Sequence, residues 1–279
     1  MDKDYQENFF DAGDGLRLFF RRWFVSQPKG LVAIIHGFAE HSGRYEHVAD
    51  FLCERGWSVA AFDCRGHGQS GGRRAHIDHF QDYLDDTRSF LDEIKKAGHP
   101  EPPILLGHSQ GGLIAARYVQ MFPDAVPGLV LSSPYLALVM KVPAFKAVAG
   151  KLVSRIFPTL AMKTGLDPSI LSHDRHEVEK YAADPLVSDI ATARWFTEVQ
   201  EAQATAVQQA GAIACPLLML LAGDDRLVAA PVSKNLFAGA ASADKTLHEY
   251  EGYYHEVFNE VGRDQVLSDL GTWLESHRK

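Results

Sequence analysis

The chain has 279 residues, a length that fits one domain carrying an insertion or two small domains. Its 46% hydrophobic and 23% charged residues are ordinary for a soluble globular protein and exclude disorder or a fibrous repeat. The formal net charge of −8 excludes a general affinity for nucleic acid, which needs a basic surface to displace the counterions of the phosphates.

Short apolar segments alternate with helix-length amphipathic segments along the chain. An alternating segment at 16–25 predicts a partly exposed strand, and continuous apolar runs predict buried strands at 31–35, 57–62, 104–106, 129–131 and 217–221. Apolar positions on helical spacing predict helices at 45–55, 80–96, 113–122 and 261–274. This order predicts an α/β fold with a mostly parallel sheet and helices on both faces.

The alternation stops after Pro134 and resumes near Cys215. The intervening segment contains four prolines, several short apolar clusters and no clear strand. It predicts a mostly helical insertion at 136–213, called the cap below, in a core formed by 1–135 and 214–279. Within the cap, the Ala- and Gln-rich run at 202–214 suits a helix.

Cysteine spacing and apolar stretches bear on location and metal binding. Cys53, Cys64 and Cys215 are far apart and lack CxxC spacing, which predicts reduced thiols rather than a disulfide framework or a zinc site. His76 and His79 have helical spacing, which by itself is weak evidence for a metal, and we predict none. Because no signal peptide or membrane-length apolar stretch is evident, we predict a soluble cytoplasmic protein.

The first chemical motif lies at 103–116, where an apolar strand leads into GHSQG and a helix-forming run leaves it. This is the context of a nucleophile elbow, in which a serine is held on a tight, strained turn. Gly107 and Gly111 are required there because side chains two residues before and after the serine would clash. The motif predicts Ser109 as a nucleophile, with helix N-terminal N–H groups near the developing oxyanion.

A serine hydroxyl needs a histidine to take its proton and a carboxylate to orient that histidine. In this fold the acid and then the histidine follow the serine along the chain. Asp224 and Asp225 both follow the strand at 217–221; Asp225 is preferred because it occupies the acid position of the Asp-Arg-x-Val pattern of similar hydrolases. His255, which precedes the last predicted helix, is the predicted base.

Several further motifs resemble those of one family. The loop after the strand at 31–35 reads HGFAEHSGRY, the segment 62–70 reads FDCRGHGQS, and the elbow reads GHSQGG. Together they resemble the monoacylglycerol lipases and the related lysophospholipase-like hydrolases of the α/β-hydrolase superfamily. In the cap, ILS at 170–172 and EVEKYAADPLV at 177–187 also resemble that family, so the similarity covers most of the chain.

The resemblance implies roles for particular residues. It implies that the backbone N–H groups of Phe38 and Gln110 form the oxyanion hole. It also implies that Glu40, Arg44 and Tyr181 shape the polar end of the site, which receives the glycerol group. For Glu40 and Arg44 an ion pair that only holds the loop is the equal alternative.

Residues 136–163 reverse the acidic character of the chain, because they contain basic residues and no acid. The basic residues are Lys141, Lys146, Lys151, Arg155 and Lys163, and apolar residues lie between them. A basic and apolar helical surface can lie on an anionic membrane, so we predict peripheral membrane contact. The alternative is that these apolar residues pack on the core or line an acyl tunnel.

These patterns predict ester hydrolysis of a small lipid-like molecule, through an acyl-enzyme and without a cofactor, as in a monoacylglycerol lipase. One departure is Phe258, at a position where some of these lipases have a histidine. Lysophospholipase, general carboxylesterase and proline iminopeptidase-like activities are the enzymatic alternatives, and a non-catalytic ligand-binding protein is the alternative from another class.

Overall fold

The structure is a computed structural model that describes residues 3–140 and 144–278; the side chains of 144–149 are not described. Its strands are β1 (Lys3–Asp11), β2 (Arg17–Val25), β3 (Leu31–Ile35), β4 (Ser58–Phe62), β5 (Ile104–His108), β6 (Leu129–Ser132), β7 (Ala161–Lys163), β8 (Ile190–Thr192), β9 (Leu217–Ala222) and β10 (Lys245–Tyr250). Its helices are α1 (Glu46–Glu54), α2 (Gln81–Lys96), α3 (Gln110–Met121), α4 (Ala144–Ile156), α5 (Arg175–Ala183), α6 (Ala193–Gln208), α7 (Ala230–Gly239) and α8 (Arg263–Ser276).

One sheet of eight strands forms the centre of the molecule, in the order β1-β2-β4-β3-β5-β6-β9-β10. Both β1 and β4 pair antiparallel with β2, whereas every pairing from β4 to β10 is parallel. Parallel strands bring their carboxyl ends to one edge, so the loops that follow β3, β5, β9 and β10 lie on the same side. The predicted α/β fold with a mostly parallel sheet is confirmed.

Helices cover both faces of the sheet, as alternate residues of β3 show. Ala33 and Ile35 belong to one apolar cluster together with residues of α2, α3 and α6. Val32 and Ile34 belong to a second cluster together with residues of α1 and α8. Strands buried on both faces contain continuous apolar runs, which is why these strands were predicted from the sequence.

Strands without a buried run were not predicted. β1 is an edge strand with mostly exposed side chains, so it lacks a buried apolar face. In the cap, β7 and β8 form a two-stranded antiparallel ribbon, which the sequence pattern did not indicate. Strands of three residues are too short to show the alternation that identifies a strand in a sequence.

The Ala- and Gln-rich run at 202–214, whose composition suits a helix, is helical only in its first part, since α6 runs from Ala193 to Gln208. Its start is set by Thr192, whose side chain accepts a hydrogen bond from the backbone N–H of Trp195. A short 3₁₀ turn, Ala210–Ala212, then leads back to β9. The earlier start places the first turn of α6 over the core.

Between β6 and β9 lie α4, α5, α6 and the ribbon, so the inserted segment is mostly helical. Within it α6 packs against both α4 and the core helix α3. The division into a core of 1–135 and 214–279 and a cap of 136–213 stays a prediction. In the ranges 3–140 and 144–278, no helix has the length and apolar character needed to cross a membrane.

Candidate active site

Ser109 lies on the turn between β5 and α3, at the carboxyl edge of the sheet. Its φ of 52° and ψ of −117° are angles that an L-residue adopts only when its surroundings enforce them. A Cβ added at Gly107 would lie 2.2 Å from the Gly111 carbonyl oxygen, and one added at Gly111 would lie 2.0 Å from that of Ile35. Only glycine fits at these two positions, as the elbow motif predicts.

The structure brings Ser109, His255 and Asp225 together from three separate loops. His255 Nε2 lies 2.9 Å from Ser109 Oγ, and His255 Nδ1 lies 2.8 Å from Asp225 Oδ2. The His255 and Asp225 side chains are 3% and 4% exposed. In this arrangement the histidine can take the serine proton while the carboxylate fixes the tautomer and orientation of the ring.

The two adjacent acids have different surroundings. Asp225 Oδ1 accepts hydrogen bonds from the backbone N–H groups of Leu227 and Val228, at 2.9 and 2.8 Å. The Asp224 side chain is 54% exposed and pairs with Arg226 at 3.3 Å. The geometry therefore favours Asp225 over Asp224 as the partner of the histidine, in line with the prediction.

Burial and the ion pair act in opposite directions on the histidine and its acid. Burial lowers the pKa of His255, but the Asp225 carboxylate outweighs it, so the pKa is raised above its usual value. Burial raises the pKa of Asp225, but His255 and the two backbone donors outweigh it, so that pKa is lowered. The carboxylate thus stays ionised and makes the imidazole a better proton acceptor.

The predicted oxyanion donors lie on the loops after β3 and β5, on either side of the serine. Phe38 and Ser109 line the same cavity, and Gln110 is the first residue of α3. The first N–H groups of a helix have no partner inside it. Within the described chain, neither the Phe38 nor the Gln110 backbone N–H donates to a protein acceptor. Both amides are thus available, and their oxyanion role stays a prediction.

Glu40 and Arg44 belong to a buried cluster of charges. One Glu40 carboxylate oxygen accepts hydrogen bonds from the Gly37 N–H at 2.6 Å and the Tyr45 hydroxyl at 2.7 Å. The other accepts from Arg44 at 2.6 Å. Arg44 also donates two hydrogen bonds to Glu256, of 2.6 and 2.7 Å. Each buried charge therefore has an opposite partner, which burial of a charge requires.

The same cluster connects the loop after β3 with the loop that carries the histidine. Burial would raise the pKa of Glu256, the neighbour of His255, but Arg44 lowers it to about 2. Tyr181 packs under Arg44, whose guanidinium carbon lies 4.8 Å from the centre of its ring. This geometry favours the loop-holding alternative for Glu40 and Arg44, and substrate contact by either of them or by Tyr181 stays a prediction.

An apolar cavity of about 430 Å³ opens beside Ser109. The apolar and aromatic side chains in its wall come from core and cap: Phe38, Tyr135, Leu138, Met140, Met162, Leu166, Ile170, Ala191, Trp195, Phe196 and Leu227. The charged residues in the wall are Lys163, Asp167 and Arg226. Both the volume and the apolar wall are typical of small-molecule sites. Such a wall suits an acyl chain that delivers its carbonyl group to the serine.

A second cavity, of about 550 Å³, lies at the opposite edge of the sheet, around Trp57 and the starts of β3 and β5. Among the described residues that line it there is no nucleophile paired with a base. Its larger volume therefore does not make it the catalytic cavity. The cavity that contains Ser109 is therefore the candidate catalytic cavity.

The sequence did not predict a role for several residues at the site. The position of Glu256 next to His255 is a weak indication of its role, whereas nothing in the local pattern indicates a role for Trp195. His108 was read as part of the elbow motif, but its Nδ1 lies 3.0 Å from Ser132 Oγ. Burial lowers the pKa of His108 to about 4, so this ring remains neutral beside the base.

Phe258 and the histidine pair of the sequence analysis lie outside the catalytic cavity. Phe258 is buried in the cluster formed with α1 and α8. His76 Nδ1 lies 3.0 Å from the Thr192 hydroxyl, so that ring contacts the cap. Across 3–140 and 144–278, no group of three His, Cys, Asp or Glu side chains is arranged to hold a metal ion.

Comparison with known proteins finds similarity over nearly the whole chain. The family model described as serine aminopeptidase, S33, matches residues 26–262. A monoacylglycerol lipase of Mycolicibacterium smegmatis is 35% identical to this chain, and the match covers 97% of each protein. Phospholipase YtpA of Bacillus subtilis is 34% identical, and that match covers 91% of this chain and 98% of YtpA. The crystal structure of Paleococcus ferrophilus monoacylglycerol lipase superposes with a TM-score of 0.86 at 35% identity, covering 93% of this chain and 99% of the other.

Proposed function

Because the chain belongs to the serine aminopeptidase S33 family of α/β-hydrolases, we propose that it is a serine esterase that cleaves monoacylglycerol-like lipids. Its similarity to monoacylglycerol lipases, predicted from the motifs, is confirmed over both core and cap. The substrate and the residues that act on it are parts of the proposal. The hydrogen-bonded serine, histidine and aspartate beside an apolar cavity are the observation that carries it.

The reaction takes place in two half-reactions. His255 accepts the Ser109 proton as Oγ attacks the acyl carbon, and Asp225 stabilises the imidazolium that forms. The backbone N–H groups of Phe38 and Gln110 hold the oxyanion, each contributing about 3 kcal/mol to the transition state. His255 then gives the proton to the leaving glycerol oxygen, and water activated by the same ring hydrolyses the acyl-serine.

The family name keeps a peptidase among the alternatives, beside lysophospholipase and general carboxylesterase. A peptidase that removes N-terminal residues must hold the ammonium group of its substrate, for which a carboxylate near the serine is the natural partner. Among the described residues that line the cavity, the one acid is Asp167, which is exposed. The rest of the wall is mainly apolar, which supports an acyl chain in this space.

Hydrolysis of p-nitrophenyl butyrate by Ser109→Ala tests the mechanism. We expect turnover to fall by at least about 10⁴-fold, because the nucleophile is removed. Ser233→Ala is the matched control, since it removes another buried serine hydroxyl, on α7. A fluorophosphonate probe should label the wild type and the control but not Ser109→Ala. Undiminished turnover of Ser109→Ala would contradict the proposal.

A rate series across acyl chains tests the substrate class. Each methylene that enters the cavity contributes about 0.8 kcal/mol, so kcat/KM for monoacylglycerols should rise about fourfold per methylene until the cavity is full. Lysophospholipids with the same chains measure the contribution of the head group. Faster cleavage of aminoacyl anilides than of any acyl ester would replace the lipase proposal with the peptidase.

We propose further that the protein is cytoplasmic and touches membranes through the cap. Its three cysteines are free, as a reducing compartment would leave them. Large apolar side chains of the cap segment are exposed, namely Val139, Met140, Leu152, Ile156, Phe157, Leu160 and Met162. Because Met140 and Met162 also line the cavity, this apolar surface adjoins the entrance that a lipid would use.

The basic side chains of the cap segment support the proposed membrane contact less than its exposed apolar side chains do. Lys151 pairs with Glu201 at 3.0 Å and Lys163 with Asp189 at 3.4 Å, and both acids lie outside the acid-free segment 136–163. Arg155 is exposed. Lys141 lies outside the described residues, and the side chain of Lys146 is likewise not described.

Co-sedimentation with vesicles tests this contact. The variant Leu152→Ser/Ile156→Ser/Phe157→Ser should bind neutral phosphatidylcholine vesicles at least about tenfold more weakly than the wild type, since it removes apolar area. Val261→Ser is the control, because Val261 is 72% exposed but lies beside α8 of the core. Wild-type protein that binds neither neutral nor anionic vesicles would remove this part of the proposal.

A further inference from the structure

One cap side chain contacts both predicted oxyanion residues. Trp195, in the first turn of α6, is 4% exposed. Its ring centre lies 4.1 Å from that of Phe38, at an interplanar angle of 33°. Its indole N–H donates a hydrogen bond of 2.9 Å to Oε1 of Gln110. Phe38 and Gln110 come from different loops of the core, so Trp195 is a shared support for both.

The hydrogen bond to Gln110 holds a fully buried amide. Among the described residues, the Gln110 amide nitrogen and the Tyr83 hydroxyl have no hydrogen-bond partner. Burial raises the pKa of Tyr83 well above its usual value, although the neighbouring Gln110 and Trp195 act in the opposite direction. Loss of the indole donor would therefore leave the buried Gln110 carbonyl oxygen without its hydrogen-bond donor, which is unfavourable.

Both oxyanion residues adjoin strained backbone. Phe38 precedes Ala39, which has φ 70°, and Gln110 follows Ser109, which has φ 52°. Residues with such angles keep them only while neighbouring contacts hold the chain in place. The contacts of Trp195 act on the side chains next to these two strained positions.

The first turn of α6 is itself anchored to the core. Thr192 accepts a hydrogen bond from the Trp195 N–H at 3.3 Å, and its own N–H and hydroxyl donate to the Ala75 carbonyl at 3.2 and 3.0 Å. A second link joins the cap to the oxyanion loop, because the Ser188 N–H donates to the Ala39 carbonyl at 2.9 Å. The indole is therefore held at a defined place relative to the core.

We propose that Trp195 is a positioning residue that sets the oxyanion hole from the cap, by holding Phe38 through its ring and Gln110 through its indole N–H. The inference rests on the proposed esterase function. On this inference the cap both encloses the substrate and positions the backbone donors of the oxyanion hole. When the first turn of α6 is seated, both backbone donors point at the carbonyl oxygen; when it is displaced, both lose their support.

Trp195→Phe tests this role, because phenylalanine keeps a ring against Phe38 but lacks the N–H. On p-nitrophenyl butyrate we expect kcat to fall about tenfold and KM to stay within about twofold, since the oxyanion exists only in the transition state. The affinity for an alkyl trifluoromethyl ketone, whose adduct with Ser109 carries an oxyanion, should fall as kcat does. Trp57→Phe is the matched control: Trp57 is buried, and its indole donates to Glu275 at 3.4 Å, far from the site.

Gln110→Met completes the experiment, because it removes the acceptor and keeps the backbone N–H. If the hydrogen bond is what positions the donor, the double variant should lose no more kcat than either single variant. Multiplied losses in the double variant, or a kcat of Trp195→Phe equal to that of Trp57→Phe, would overturn the inference. A wild type that is inactive on every ester would instead contradict the esterase proposal on which this inference rests.

Discussion

The catalytic edge of the core and the outer surface of the cap differ in which side chains they bury: the core edge buries polar side chains, and the cap surface exposes apolar ones. At the core edge, His255 and Asp225 are almost completely buried, and each has hydrogen-bond partners at 2.8 to 2.9 Å. On the cap, Leu152 is 60% and Phe157 62% exposed. Polar groups are buried at the candidate active site, where hydrogen bonds fix their geometry, whereas apolar groups are exposed on the cap surface that we propose contacts membranes. The core edge is thus a preorganised site, whereas the cap surface has the exposed apolar area that the proposed membrane contact requires.

The largest effect should come from the acid of the core site. Asp225→Asn should lower kcat on p-nitrophenyl butyrate by about 10⁴-fold, because an amide leaves the histidine in the wrong tautomer. Asp224→Asn, its matched control, should stay within about threefold, because the Asp224 carboxylate is exposed. A larger loss in the control than in Asp225→Asn would reverse the assignment and break the contrast between buried and exposed acids.

Buried and exposed ion pairs should differ in what they contribute to stability. Arg44→Met should lower the free energy of unfolding by about 3–5 kcal/mol, because it leaves Glu40 and Glu256 buried without their counter-charge. Lys151→Met breaks the exposed pair with Glu201 and should cost at most about 1 kcal/mol. Urea denaturation measures both. Equal losses in the free energy of unfolding would show that burial does not make the Arg44 ion pairs more important for stability than the exposed Lys151 pair.

The pH profile of the esterase tests the core site in another way. His255 must be neutral to accept the serine proton, and its pKa is raised above 6.5 by Asp225. As pH falls through that raised pKa the ring is protonated, so the acid limb of kcat/KM should lie above pH 6.5. In Asp225→Asn, whose residual activity lacks the carboxylate, the limb should move to lower pH. An acid limb of the wild type below 6.5 would contradict the ion pair.

The smallest effect should come from the cap surface. Leu152→Ser should change the free energy of unfolding by no more than about 0.5 kcal/mol, because the side chain is mostly exposed and packs little. Thermal or urea denaturation of the variant measures this. A loss above about 2 kcal/mol would mean that the residue packs against the protein, which was the alternative interpretation of the apolar cap residues.

Much of the core could be predicted from the sequence, because its signals are local. Strands buried on both faces have continuous apolar runs, and the elbow needs glycine wherever a Cβ would meet backbone within about 2 Å. The order of serine, acid and histidine then follows from the succession of strand ends. Ser109 and His255 could be named in this way, whereas the choice of Asp225 over Asp224 needed the Asp-Arg-x-Val pattern of similar hydrolases. The structure brings all three within hydrogen-bonding distance.

Other features depend on contacts between distant segments, which no local pattern encodes. Arg44 and Glu256 are separated by 212 positions, and Trp195 and Gln110 by 85, yet each pair is hydrogen-bonded. The acids that pair with Lys151 and Lys163 could not be predicted either, because they lie outside the segment 136–163, whose charged residues are all basic. Periodicity and glycine spacing thus determined the sheet and the nucleophile. Only the tertiary structure decided how the cap meets the core, because that depends on which distant side chains share one buried volume.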